Sequence, residues 1–125
     1  MIGYVTLGTN NLKRAAEFYD AIAAELGTKR MMEYETFIAW GEMGGAAGIG
    51  LTKPFDGNAA TVGNGVMVAL AAKDTAQVDR IYKLALSMGA KDEGPPGDRG
   101  GGFYAAYFRD PDGNKLNAFV MAGEG

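Results

Sequence analysis

The sequence predicts an α+β protein built from two βαβββ modules. Three observations lead there. The order strand, helix, strand, strand, strand occurs twice along the 125 residues. Each helical segment carries one apolar stripe and stops at a glycine. The two halves also match when one is slid along the other. LGTKR (26–30) falls on MGAKD (88–92) at an offset of 62, and Ala16, Tyr19, Ala23 and Leu26 then meet Val78, Ile81, Ala85 and Met88. Towards the ends of the halves, Trp40 and Gly50 meet Tyr107 and Asn117 at an offset of 67. Repetition on this scale marks one supersecondary unit used twice. Layer logic makes the pair an α+β domain. Module one covers about 1–57 and module two about 62–122 of a single domain.

The elements follow in order. Ile2 to Gly8 reads as a strand. Asn10 or Asn11 caps a helix whose stripe is Leu12, Ala15, Ala16, Tyr19, Ile22, Ala23 and Leu26, with Gly27 as its stop. Arg30 to Thr36, Phe37 to Gly41 and Gly48 to Thr52 are β-type runs, and Lys53 to Gly65 is loop-like. The second round opens with a strand at Val66 to Ala72 and a cap at Asp74 or Thr75. Its helical stripe is Val78, Ile81, Tyr82, Ala85 and Met88, ended by Gly89. A Gly/Pro loop is predicted from Glu93 to Gly102, then strands at Phe103 to Arg109 and Lys115 to Val120 around the turn Asp110-Pro111-Asp112-Gly113-Asn114.

Composition narrows the chemistry. Hydrophobic residues make up 47%, enough for a packed core. Twelve basic against fifteen acidic residues give a net charge of −3 with no basic cluster, which argues against a nucleic-acid partner. No apolar run reaches the length of a membrane helix, and the N-terminal MIGYVTLGTNN has no signal-peptide pattern; a soluble, cytoplasmic protein is expected. There is no Cys and no His. Disulfides, thiolate catalysis, Ser-His-Asp arrangements and imidazole metal ligation are therefore excluded.

YVTLGTNNLKRAAEFYDAIAAELG (4–27) and YFRDPDGNKLNAF (107–119) resemble the vicinal oxygen chelate superfamily, the glyoxalase, bleomycin-resistance and extradiol-dioxygenase group. The second segment is the more specific, an aromatic-Asp-Pro-Asp-Gly-Asn turn leading into an apolar strand. The resemblance implies modules whose mixed sheet curls into an open cup, with helices on the outer face. It also implies a homodimer. Catalytic members hold a divalent metal on up to four positions of the cup. Carried across residue by residue, these fall on Tyr4, Gly50, Met67 and Asn117. A phenol, a hydrogen, a thioether and an amide make no hard divalent site, so no metal and no cofactor are expected.

Strand alternation then gives the candidate ligand residues. Tyr4 brings Thr6 to the cup; Gly50 brings Gly48; Met67 brings Ala69 and Ala71; Asn117 brings Lys115 and Phe119. Trp40, Phe103 and Tyr107 are the expected aromatic walls, and glycines and alanines on the floor leave volume. Arg99, on the Gly/Pro loop, is placed to clamp an anionic group or is a solvated charge. Glu33 and Glu35 share a strand face, as an acid–base pair or as two solvated carboxylates. GEMGGAAGIG (41–50) has no phosphate-loop pattern and reads as a hairpin turn. Asp110 and Asp112 are turn formers.

The function expected from these residues is metal-free binding of an aromatic or amphipathic small molecule, as in bleomycin-resistance proteins. Two alternatives stand beside it: a glyoxalase-like lyase or isomerase without the usual ligands, and a dimer with a filled, inactive cup.

Overall fold

The computed structural model describes residues 1–121. The chain forms two compact units, residues 1–63 and Asn64 onward. In the first unit, β1 (Tyr4–Gly8) leads into α1 (Leu12–Glu25), followed by β2 (Lys29–Glu33), β3 (Phe37–Gly41) and β4 (Gly48–Thr52). The second contains β5 (Val68–Ala71), α2 (Thr75–Ser87), β6 (Lys91–Asp98), β7 (Phe103–Arg109) and β8 (Lys115–Met121). Sheet orders are β1-β4-β3-β2 and β5-β8-β7-β6, the same order in each unit. The first strand pairs in parallel with the last, and the remaining pairs are antiparallel. The predicted βαβββ repeat is therefore present twice.

Both helices start and stop on local chemistry. Asn11 accepts a 3.1 Å bond from the Arg14 amide at the head of α1. Asp74 accepts one of 2.8 Å from the Gln77 amide, and Gln77 Oε1 accepts one of 2.9 Å from the amide of Lys73, just before the cap, a variant of the capping box. Gly27 (φ 80°) and Gly89 (φ 99°) take the left-handed conformation that ends each helix.

One face of each sheet packs on its own helix. Leu7, Ile38, Trp40 and Leu51 are buried with Ala15, Phe18, Tyr19 and Ile22 of α1 in the first unit. Ala106, Phe108, Leu116 and Ala118 are buried with Val78, Ile81 and Ala85 of α2 in the second. Tyr104 adds a polar tie, donating its hydroxyl to Asp79 at 2.7 Å. That bond, with burial, raises the Tyr104 pKa.

Strands are shorter than expected in places, β2 ending at Glu33 rather than Thr36 and β5 starting at Val68 rather than Val66, and one element differs in kind. The Gly/Pro segment predicted as a loop from Glu93 to Gly102 is mostly β6. Pro95 and Pro96 are tolerated because β6 is an edge strand whose pairing with β7 shifts register twice, between Asp92 and Gly94 and between Gly94 and Gly97. Only the turn Arg99–Gly102 remains, closed by the Arg99 amide on the Phe103 carbonyl at 2.7 Å.

Candidate functional site

Each sheet keeps a second face, turned away from its own helix, and most predicted site residues lie there. In the first unit, Tyr4 and Thr6 stand exposed on β1. Thr6 is the strand partner of Gly50, and Gly50 is in turn the partner of Ala39. Phe37, two residues before Ala39, projects on the same side and meets Tyr4 edge to face at 6.1 Å. The predicted set omits Phe37. Its position follows only from the β3–β4 register.

Gly48 and Gly50 do not leave open volume, as expected of them. A Cβ on Gly50 would lie 2.7 Å and 2.9 Å from ring atoms of Phe37, and one on Gly48 would lie 2.8 Å from the Met31 methyl. These glycines are the floor on which Phe37 and Met31 rest. Their small size serves close packing rather than a vacant pocket.

Trp40 is also not a wall of this face. Its side chain is 2% exposed on the helix side, 5.7 Å from the Tyr19 ring. Its indole N–H donates to Asp20 at 2.8 Å. The reason is a single residue of hairpin length. Gly50 follows its partner Ala39 by eleven residues, while Asn117 follows its partner Tyr107 by ten. A gap-free alignment of the halves puts Trp40 on Tyr107, but the register puts Ala39 there. One residue of slip reverses every side chain.

The second unit gathers the remaining residues. Met67 precedes β5 and is 41% exposed, with Ala69 and Ala71 exposed on the alternation that continues from it. Asn117 sits in β8 between Ala69 of β5 and Tyr107 of β7. It is 1% exposed, and its carboxamide Oδ1 has no hydrogen-bond partner. Phe119, paired with Ala105, stacks on Phe103 at 5.6 Å with planes 25° apart. Tyr107 carries two cations against its ring: the Arg99 guanidinium at 5.4 Å and the Lys115 ammonium at 5.5 Å from the centroid.

Glu33 and Glu35 line a different place, a groove of about 720 Å³ between the start of α1 and the β2–β3 turn. Glu33 is exposed and ion-paired with Arg30 at 2.7 Å. Glu35 lies beyond the end of β2 and is exposed as well. The two carboxylates do not share a strand.

The four positions at which the family resemblance implies metal ligands divide evenly. Tyr4 and Gly50 lie in the first unit, Met67 and Asn117 in the second. Their donors do not fit a hard divalent ion, because only one neutral amide oxygen and one phenol are on offer. Among the described residues no three Asp or Glu side chains come together as an alternative cluster. No helix there is long and apolar enough to cross a membrane.

Comparison with known proteins agrees with the fold. Residues 1–118 match the family model described as Glyoxalase/Bleomycin resistance protein/Dioxygenase superfamily. A glyoxalase/bleomycin resistance protein from Albidiferax ferrireducens is 35% identical, with TM-score 0.88 over 95% of this chain and 97% of that one. A lactoylglutathione lyase from Agrobacterium tumefaciens is 20% identical, with TM-score 0.69 over 95% and 92%. A glyoxalase-related enzyme from Fulvimarina pelagi is 17% identical, with TM-score 0.76 over 95% and 86%. The last two likenesses are of fold alone. No curated protein matches the sequence.

Proposed function

Because the chain belongs to the glyoxalase/bleomycin resistance protein/dioxygenase superfamily, we propose that it binds an aromatic or amphipathic small molecule without a metal. It works in the cytoplasm, as a homodimer. The ligand lies on the helix-free face of the second unit, where Phe103, Tyr107 and Phe119 offer ring surface.

One observation carries this reading: the buried Asn117 Oδ1 with no partner, set beside those rings. A buried acceptor left unpaired costs about 1–3 kcal/mol, and a ligand donor removes that cost. Apolar walls with a sparse, placed polar group are the usual make-up of a small-molecule site. Lyase or isomerase chemistry of the family's metal-dependent kind would call on Tyr4, Gly50, Met67 and Asn117, whose donors do not suit it.

A melting experiment on tag-free protein tests the reading, with bleomycin and other aromatic compounds against Ni²⁺, Mn²⁺, Zn²⁺ and Fe²⁺. A ligand present at a hundred times its Kd stabilises by about 2.7 kcal/mol. Stabilisation by an organic compound and by no metal is the expected result. Stabilisation by a metal, reversed by EDTA, would return the enzyme reading.

A further inference from the structure

We propose that the ligand on this face is an aromatic carboxylate bearing a hydroxyl or amino donor. The inference rests on the binding reading above and adds to it the ligand's charge.

Two cations come to one ring from separate segments. Arg99 arrives from the turn after β6 and Lys115 from the first position of β8, and both stand against Tyr107. Among the described residues, no acidic side chain forms an ion pair with either. The neighbouring cation on that face is different: Arg109 is bound by Glu93 at 3.1 Å and by the Gly113 carbonyl at 3.0 Å. Arg99 and Lys115 are thus two positive charges held beside one phenol with no anion between them. Arg99 is exposed and Lys115 half-buried, so both charges are within reach of a ligand's anionic group.

The guanidinium lies over two glycines of β6. A Cβ on Gly94 would sit 3.2 Å from an Arg99 nitrogen, and one on Gly97 would sit 3.0 Å from another. The Pro95 carbonyl accepts from Arg99 and fixes its direction. Gly94 itself holds a positive φ of 155°, and the guanidinium lies across both glycines. On the same sheet face, Asn117 Oδ1 waits for a donor. An aromatic ring, a carboxylate and an O–H or N–H together complement what the face presents.

Calorimetric titration with hydroxynaphthoate, its uncharged isostere hydroxynaphthamide and unsubstituted naphthoate separates the contributions. Hydroxynaphthoate is expected to bind about tenfold more tightly than the amide, a gap that narrows with added salt. Arg99→Gln and Lys115→Gln should each narrow that gap, weakening the acid by a larger factor than the amide. Naphthoate, lacking the donor, should bind several-fold more weakly than hydroxynaphthoate, again because of Asn117. Equal affinity for acid and amide overturns the charge assignment. A preference for the acid that survives both charge substitutions overturns the residues named for it. Binding of none of the three compounds overturns the binding reading itself, and this inference with it.

Discussion

The indole N–H of Trp40 donates a 2.8 Å hydrogen bond to Oδ1 of Asp20, joining β3 to α1 across the core of the first unit. The same carboxylate takes a two-pronged contact from Arg30, at 2.9 Å from Nε and 2.8 Å from Nη2. Three segments therefore meet on one acidic group. Asp20→Ala leaves a buried indole N–H without an acceptor and should cost about 1–3 kcal/mol, measured by denaturant unfolding.

The Arg30 hydrogen bond, opposed by burial and supported by Trp40, holds the Asp20 carboxyl below its ordinary value of 3.8. The unfolded chain thus binds this proton more readily than the folded one. The stabilisation is fully present above that ordinary value and is lost as pH falls through the lower, folded value. Asp20→Asn should accordingly show a shallower loss of stability on acidification than the parent. Identical acid limbs would mean that Asp20 adds nothing to the pH dependence.

Trp40 and Tyr107 should separate cleanly in their effects. Trp40→Phe removes a buried donor and is expected to lower stability by about 1–2 kcal/mol without altering ligand affinity. Tyr107→Ala should weaken binding of an aromatic ligand by about tenfold or more. Paired melting and titration curves read both quantities. Loss of binding in the Trp40 variant with its melt unchanged would place the indole at the ligand after all.

The two strand glycines of β4 should also differ. A Cβ on Gly48 would lie 2.6 Å from the Trp40 carbonyl oxygen, which only backbone movement can relieve. At Gly50 the obstacle is the far edge of the Phe37 ring, which can turn. Gly48→Ala should cost about 2–3 kcal/mol and Gly50→Ala about 1 kcal/mol. Thermal melts of the two variants give the order.

Phe119→Ala removes one ring of the stacked pair with Phe103. Beyond lost area, such a pair contributes about 0.5–1.5 kcal/mol, so both stability and aromatic-ligand affinity should fall. Phe119→Leu should restore much of the stability but not the affinity.

How far the sequence discloses this molecule depends on which period a residue belongs to. The helices are legible because Asn11, Asp74, Gly27 and Gly89 punctuate stripes whose central residues bury, although Phe18 buries outside its stripe and Met88 stays exposed. The strand order repeats as the internal match predicts. Side-chain facing is legible only where register is fixed. It holds for Tyr107 and Asn117, which are direct partners, and fails for Trp40, because the β3–β4 connection is one residue longer. β6 is hidden for another reason: glycine and proline read as loop, and only their place at an edge permits a strand. Net charge is silent in a third way. The whole-chain balance of −3 says nothing of the face where Arg99 and Lys115 stand against Tyr107. A sum over the chain carries no address.

The sheet borders remain. Each sheet ends on one side in β1 or β5, the parallel-paired strands of five and four residues. On the other side it ends in β2 or β6, both interrupted in register, the second also carrying Pro95 and Pro96. A foreign strand adds readily to a long, regular border with free amides, and poorly to one that is broken or brief. Among the described strands neither border is both long and regular. The irregularity that makes room for Arg99 therefore also helps to keep a β-rich, weakly charged chain from templating its own aggregation.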